Sequence, residues 1–348
     1  MPEAGGAWAL GLGGGCTRHR TSALAGAQGP HTARGRQWLD RWAGIANRYL
    51  DDWDLVLDLD PDTLPWSGHV AVVLPVICGD GAPGVLKITA PHDEALPEPD
   101  ALSLWDGNGA VELLMSSRDD LVLLLERLDG DSSLNMLPLA DTTEVWGGLM
   151  HELSIAPPTE TGFADPRWLA IPSVAEQAEQ WTDTLPLEWE ALGRPFDRWL
   201  LEYALEVCQV HGAVGRRRDN DVLVHSDLHY LNMLPVLERP RQFLAIDPKP
   251  VLGDAEFAVA PMLWNRISDL SPIDPAAHLR DRCTDLALAA GLDPMLARDW
   301  SVAREVDNAL GYLRDGHTND ADRSLWVASN LLRRPLENLP PAAKLAAP

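Results

Sequence analysis

The stretch that decides the fold is Val222–Pro248, which reads VLVHSDLHYLNMLPVLERPRQFLAIDP. Its first residues, Val222–Val224, are apolar, two of them are β-branched, and together they predict a short strand. Asp227 follows this strand, Asn232 comes five residues after Asp227, and Asp247 comes twenty residues after Asp227, at the end of a second apolar run. Two carboxylates and one amide therefore stand just beyond predicted strands of one small sheet.

These three side chains are of the kinds that phosphoryl transfer requires. A carboxylate orients the acceptor hydroxyl and accepts its proton, while an amide oxygen and a second carboxylate hold magnesium against the phosphate. The spacing from Asp227 to Asn232 equals that of the protein-kinase catalytic loop, H-R-D-x-x-x-x-N. We therefore predict Asp227 as the base and Asn232 and Asp247 as Mg²⁺ ligands. The alternative is that Asp and Asn merely occupy ordinary turns after strands.

Lysine usage points to a second element of the same chemistry. The chain has 28 basic residues, of which only Lys87, Lys249 and Lys344 are lysine. Lys87 lies in the strand-like run VLKI (85–88), after a Gly79-Asp80-Gly81 turn that predicts a hairpin. In kinases, a strand lysine holds the ATP phosphates and pairs with a helix glutamate. The alternative is a surface lysine at a strand end.

The glutamate partner of Lys87 is predicted in the segment that follows it. Glu94 and Glu98 are the two candidates, and Pro97 and Pro99 flank Glu98. A proline in a helix interior removes a hydrogen bond and costs about 3 kcal/mol. We therefore expect the helix to begin late or to be kinked at this point.

The order of predicted elements indicates an α+β protein with two lobes. An amphipathic helix over 37–52, with Trp38, Trp42, Ile45 and Tyr49 on one face, precedes several short strands, and long helices dominate from Thr142. We predict a flexible tail (1–34), a β-rich nucleotide-binding lobe (35–128), a helical catalytic lobe with a small embedded sheet (129–335) and a second tail (336–348). A ligand site is expected where the lobes meet.

The linker between the lobes is a candidate adenine site. Its strand LVLLLERL (121–128) ends at the predicted hinge, where Glu126 and Leu128 would offer backbone groups to the nucleotide. The alternative is that Glu126 and Arg127 form only a solvated hinge.

Charge and composition exclude several classes of partner. The formal net charge of −24 argues against nucleic acid and against anionic membranes. An acidic cleft can instead attract a cationic ligand. No apolar run is long enough to span a bilayer, and four scattered cysteines without CxxC spacing indicate a reduced, cytoplasmic protein. We expect a monomer or weak dimer.

Several segments resemble the aminoglycoside phosphotransferase family, in particular its streptomycin 6-kinase or aminoglycoside/hydroxyurea resistance kinase type. The resemblance covers about Trp38 to Leu332, and its most specific segments are GHVAVVLPV (68–76), VLKITAPHDEA (85–95), VHSDLHYLNML (224–234) and AIDPKPVLGDAEFAVAPMLWNR (245–266). It implies a bilobal protein-kinase-like fold that uses MgATP to phosphorylate a hydroxyl of streptomycin or a similar small molecule. By matched position it implies Asp227 as base, Asn232 and Asp247 as metal ligands, and Lys87 with Glu98 at the ATP phosphates.

Three positions depart from the family pattern, besides the prolines beside Glu98. Ser226 replaces a glycine, Leu231 stands where related loops have glycine, and Ala258 stands where the family has an aspartate. These changes affect residues that support the site rather than those that perform the chemistry. They leave open a kinase-like protein that binds nucleotide or a metabolite with little transfer. A kinase of a cellular sugar or amino alcohol is a further alternative.

Acidic residues in the C-terminal half are candidates for binding a cationic acceptor. They are Asp254, which follows the IDPKP motif, and Glu305 and Asp307 on a late helix. Their amphipathic context also allows them to be solvent-facing residues. For His225, which lacks metal-ligand spacing to its neighbours, a structural role in the catalytic loop is expected.

Overall fold

The structure is a computed structural model that describes residues 33–59, 65–67, 70–158, 165–212 and 221–345. The chain divides into two compact units. The N-terminal unit comprises Met1–Gly107 and Val111–Leu128, and the C-terminal unit comprises Asn108–Ala110 and Asp129–Pro348. The predicted N-terminal tail lies outside the described residues up to residue 32, and the first helix already begins at Ala33.

The N-terminal unit is built on an antiparallel sheet covered by one long helix. Strands β3 and β4 form the predicted hairpin, β4 pairs next with β6, and β5 lies beyond β6. Both β1 and β2 pair with β3. The elements are α1 (Ala33–Asp52), β1 (Val56–Leu57), β2 (Trp66–Ser67), β3 (Ala71–Ile77), β4 (Pro83–Thr89), α2 (Glu98–Trp105), β5 (Leu113–Ser117) and β6 (Val122–Glu126).

Helix α1 has the amphipathic face that the sequence predicted. Trp38, Trp42, Ile45 and Tyr49 are buried in one hydrophobic cluster with side chains of β3, β4 and β6, including Leu86. Alternation along β4 sends Leu86 and Ile88 into this cluster, so Lys87 faces the other side of the sheet.

Helix α2 begins late, as the prolines required. Pro97 occupies its N-cap position, Glu98 is its first residue, and Pro99 lies in its first turn. The first backbone N–H groups of a helix have no intrahelical partner, so proline costs nothing there. The prolines therefore start the helix at Glu98 and do not kink it.

The C-terminal unit is mostly helical and contains two two-stranded antiparallel sheets, β7–β10 and β8–β9. Its core includes the fully buried indole rings of Trp146 and Trp300. Its elements are α3 (Thr142–Leu153), α4 (Pro166–Ala170), α5 (Val174–Ala191), α6 (Arg198–His211), β7 (Val222–His225), β8 (Met233–Val236), β9 (Arg239–Ala245), β10 (Pro250–Gly253), α7 (Ala260–Trp264), α8 (Pro275–Ala289), α9 (Pro294–Asp315) and α10 (Thr318–Leu331).

The last part of the chain is folded as far as the structure describes it. Within the predicted tail 336–348, Ala342–Lys344 forms a 3₁₀ turn, and both Ala342 and Leu345 are buried. Among the described residues, no helix combines the length and the apolar character needed to span a bilayer.

Candidate active site

The β7–β10 ladder positions the loop that carries Asp227. His225 at the end of β7 is paired with Pro250 at the start of β10. Ser226 extends this ladder, because its backbone N–H and its Oγ both donate to the carbonyl of Lys249, at 3.1 and 2.7 Å. Ser226 is not among the residues with positive φ. Glycine is therefore not required at this position, and the serine adds a hydrogen bond.

The imidazole ring of His225 holds the backbone of this loop in place. Its ring is fully buried, Nε2 donates to the carbonyl of Ile246 at 3.0 Å, and Nδ1 accepts the Asp227 N–H at 3.2 Å. Burial lowers the pKa of His225 to about 4, so the ring is neutral at pH 7. Both ring nitrogens hold backbone groups, which agrees with the predicted structural role.

The β8–β9 hairpin brings Asn232 and Asp247 to the same end of the small sheet. Asn232 immediately precedes β8, and its carbonyl accepts the N–H of Ile246, which directly follows β9, at 2.9 Å. The Asn232 Nδ2 donates to the carbonyl of Asp227 at 3.0 Å, which orients the amide. Asp247 has a left-handed φ of 54°, uncommon for a residue other than glycine. Such backbone outliers cluster at functional sites.

These residues fit a magnesium ion of the kind that accompanies nucleotides. Mg²⁺ is usually held by one or two protein oxygens together with phosphate oxygens and water, not by a complete protein cage. Asn232 and Asp247 offer two oxygen donors beside the loop of Asp227. The described residues contain no cluster of three or more His, Cys, Asp or Glu that could hold a metal alone.

Asp227 is partly accessible and electrostatically supported. Its side chain is 26% exposed, and the Lys249 ammonium lies 3.6 Å from Oδ2. Burial alone would raise the pKa of Asp227, but the positive charges around it, first of all that of Lys249, hold it below its usual range. The carboxylate is therefore ionised at neutral pH, as a proton acceptor must be.

Arg304 supports the loop from α9 and was not predicted from the sequence. Its Nη1 donates to the carbonyls of Ser226 and Phe257, at 2.7 and 2.8 Å, and its guanidinium lies over the Phe257 ring. The neighbouring Ala258, where the family has aspartate, is fully buried. Nothing in the sequence distinguishes Arg304 from the other arginines, since its contacts are 78 and 47 residues away.

In the N-terminal unit, Lys87 is paired with Glu98, as predicted. Nζ of Lys87 donates to Oε1 of Glu98 at 2.6 Å, and the two side chains are only 7% and 5% exposed. Lys87 is fixed from both sides, because β4 places it opposite Val73 of β3 and Leu123 of β6. Glu98 lies at the N-terminus of α2, where a negative charge is favourable.

The two linker candidates differ in their surroundings. The Glu126 N–H donates to the carbonyl of Glu112 at 3.0 Å, and its side chain accepts the Glu112 N–H at 2.9 Å. The N–H of Glu126 is thus engaged within the N-terminal unit. Leu128 is buried at the end of that unit.

The three acidic acceptor candidates occupy different environments. Oδ2 of Asp254 accepts the indole N–H of Trp300 at 2.9 Å. Glu305 is fully buried, so it faces neither solvent nor an open surface. Asp307 is partly exposed. Burial and the negative charge of the nearby Glu188 raise the pKa of Asp307 to about 6, although the positive charges of Arg304 and Arg314 act to lower it. Asp254 and Asp307 are therefore both partly exposed, whereas Glu305 is not.

Burial of Glu305 predicts a pH-dependent effect on stability. Burial raises its pKa to about 7, from an ordinary 4.5. The folded state then binds a proton that the unfolded state releases above pH 4.5, so this stabilisation is complete below pH 4.5 and is lost as pH rises through 7. The measured quantity is the unfolding free energy of Glu305→Gln minus that of the parent. We expect this difference to be about 3 kcal/mol larger at pH 8 than at pH 4.5. Urea unfolding at both pH values measures this.

The exposed Glu179→Gln is the matched control for Glu305→Gln. It should change the unfolding free energy equally at the two pH values. If Glu305→Gln changed the unfolding free energy equally at both pH values, the buried carboxyl would not hold the proton that we infer.

The sequence of this chain matches a family model and is similar to named proteins. A family model described as aminoglycoside/hydroxyurea antibiotic resistance kinase matches residues 57–316. A streptomycin 6-kinase of Streptomyces griseus is 32% identical over 306 residues, which cover 86% of this chain and 92% of that protein. A hydroxyurea phosphotransferase of Kitasatospora aureofaciens is 34% identical over 309 residues, which cover 87% and 82%.

A solved structure supports the fold. The streptomycin–ATP–APH(2")-IIa ternary complex matches with a TM-score of 0.50 and 14% identity, over 84% of this chain and 96% of that one. At this identity the likeness concerns the fold alone, and it confirms the kinase-like α+β architecture predicted from the sequence.

Proposed function

Because this chain belongs to the aminoglycoside/hydroxyurea antibiotic resistance kinase family, we propose that it transfers the γ-phosphoryl group of ATP to a hydroxyl of streptomycin or a similar small cationic molecule. The observation that carries the proposal is the hydrogen bonding that links the loop after β7 to the residues after β9. The loop contains Asp227 and Asn232, whose side-chain amide binds the Asp227 carbonyl, and Asn232 also binds Ile246, the neighbour of Asp247. We further propose that the enzyme acts in the cytoplasm, as a monomer or weak dimer.

In the proposed mechanism, Asp227 orients the acceptor hydroxyl and accepts its proton. The hydroxyl oxygen forms a bond to the γ-phosphorus, the bond from that phosphorus to the bridging oxygen breaks, and ADP leaves. Asn232 and Asp247 would hold Mg²⁺, which would supply positive charge against the phosphates. Lys87, fixed by Glu98, binds the α- and β-phosphates. Catalysis then consists of positioning and electrostatic stabilisation, as is usual for phosphoryl transfer.

The surroundings of Asp307 support a cationic acceptor. Asp307 on α9 is partly exposed and lies near Glu188 of α5. We expect Asp307→Asn to raise KM for streptomycin by about tenfold, since a charge-assisted hydrogen bond is worth about 1.5–3 kcal/mol, and to leave KM for ATP unchanged. Steady-state kinetics with each substrate varied tests this. An unchanged KM for streptomycin would remove Asp307 from the acceptor site.

Hydroxyurea is a second candidate acceptor. The relative named hydroxyurea phosphotransferase is as similar to this chain as the streptomycin 6-kinase is, at 34% and 32% identity. A protein that binds without transfer receives less support, because Ser226 and the prolines beside Glu98 fit their positions without strain.

A product assay separates these possibilities. The purified chain is incubated with MgATP and, separately, streptomycin, hydroxyurea, a neutral sugar and an amino alcohol, and products are identified by mass spectrometry. We expect one phosphorylated streptomycin product and ADP. Phosphorylation of hydroxyurea alone would reassign the acceptor. Tight MgATP binding without any phosphorylated product would favour the non-transferring alternative.

A further inference from the structure

Lys249 lies beside the proposed base, at a position to which the mechanism proposed above gives no role. It is the residue that joins the loop after Asp247 to β10, and its Nζ lies 3.6 Å from Oδ2 of Asp227. Its side chain is 49% exposed. The ammonium therefore stands at the accessible edge of the carboxylate that would accept the acceptor proton.

Stability does not account for this pair. An ion pair that is exposed to this extent typically contributes about 0–1 kcal/mol to folding. The chain also prefers arginine strongly, with 25 Arg against three Lys, and arginine would form a better-defined fork on a carboxylate. A lysine at this place provides a compact positive charge.

The distance leaves the carboxylate able to serve another partner. A direct N–H···O hydrogen bond spans about 2.7–3.2 Å, whereas this pair is at 3.6 Å. An oxygen atom that approaches Asp227, such as an acceptor hydroxyl in the course of attack, would also approach the Lys249 ammonium. The charge that spreads over the phosphoryl oxygens in the loose transition state would then develop next to a cation.

The backbone of Lys249 is held more firmly than its exposure suggests. Its carbonyl accepts two hydrogen bonds from Ser226, one residue before Asp227, at 3.1 Å from N–H and 2.7 Å from Oγ. The second bond exists only because serine replaces the family glycine. Ser226 therefore ties the backbone of the lysine directly to that of the base.

We propose that Lys249 is a catalytic residue that contacts the transferring phosphoryl group, and that Ser226 is the positioning residue that fixes its backbone. The inference rests on the proposed phosphotransferase activity. In the step, the acceptor oxygen bonds to phosphorus, the bond to the ADP bridging oxygen breaks, and the proton passes to Asp227, while Lys249 keeps all its protons and supplies only positive charge.

The first test compares Lys249→Met and Lys249→Arg with the parent in the full chain. We expect Lys249→Met to lower kcat by about 100-fold, the loss typical of one transition-state donor, with KM for the acceptor changed less than threefold. Lys249→Arg should retain at least tenfold more activity than Lys249→Met. Ser226→Ala should lower kcat by about fivefold, the effect of one hydrogen bond of average strength. The exposed Lys344→Met is the matched control and should match the parent.

The second test does not depend on turnover. Calorimetric titration with ADP and with the non-hydrolysable analogue AMPPNP measures the contribution of the γ-phosphate. We expect Lys249→Met to weaken AMPPNP by about tenfold more than ADP. A kcat within threefold of the parent would overturn the proposal for an active enzyme. If the parent phosphorylates no acceptor, the proposed function fails, and equal weakening of ADP and AMPPNP would then overturn the role of Lys249 independently.

Discussion

Asp227→Asn should lower kcat by about 10³-fold. Asparagine has nearly the same shape as aspartate, so the hydrogen bonds of the loop backbone should remain. These are the bond from the N–H of residue 227 to His225 and the bond from Asn232 to the carbonyl of residue 227. What is lost is the proton acceptor, and general-base catalysis typically contributes about 10²–10⁴-fold. KM for ATP should stay within about threefold, because Asp227 is assigned to the acceptor and not to the nucleotide.

The measurement is steady-state kinetics with the acceptor identified by mass spectrometry, together with urea unfolding. Asp281→Asn, on the exposed side of α8, is the matched control and should retain full activity. The unfolding free energy of Asp227→Asn should change by less than about 1 kcal/mol, because its ion pair with Lys249 is partly exposed. Turnover equal to that of the parent would remove Asp227 as the base.

Lys87→Met should reduce both activity and stability. We expect kcat/KM for ATP to fall by about 10³-fold, because a preorganised charge on the phosphates is removed. The variant also leaves Glu98 buried without its cation, which typically costs about 3–5 kcal/mol. Urea unfolding and ATP-dependent kinetics report the two losses separately.

The double variant Lys87→Met/Glu98→Leu separates the two roles of this pair. Replacing a buried ion pair by apolar side chains is often neutral or stabilising, so the unfolding free energy should return to within about 1 kcal/mol of the parent. Activity should remain as low as in the single variant. Recovery of both would mean that Lys87 acts only through folding. Lys344→Met serves again as the lysine control.

The parts of the fold that sequence patterns predicted are those fixed by local physics. The hairpin at the Gly79-Asp80-Gly81 turn, the amphipathic face of α1 and the late start of α2 each depend on neighbours within a few residues. Helix α5 (Val174–Ala191) likewise begins at a local signal, the capping box formed by Ser173 and Glu176. Only Pro186, inside that helix, goes against local preference.

In the candidate site, Asn232 and Asp247 lie near each other because β8 and β9 are neighbours in sequence and in space. The position of Asp227 depends in addition on the pairing of β7 with β10, which is distant in sequence. Arg304 could not be predicted, because its hydrogen bonds join elements far apart in the chain. Likewise, the sequence predicts that Glu305 and Asp307 lie on one helix. Only the packing of that helix against α10 and α5 determines that Glu305 is fully buried and Asp307 partly exposed.

The buried imidazole of His225 implies that its protonation in acid would oppose folding rather than loosen the folded catalytic loop. Its pKa of about 4 in the folded state lies below the ordinary 6.5. As pH falls from 6.5 toward 4, the unfolded chain takes up the proton first, so the contribution of His225 to stability is complete above pH 6.5 and is lost as pH falls toward 4. The native ring meanwhile stays neutral and keeps holding Asp227 and Ile246. Molecules that remain folded in mildly acidic surroundings would therefore keep this part of the loop intact.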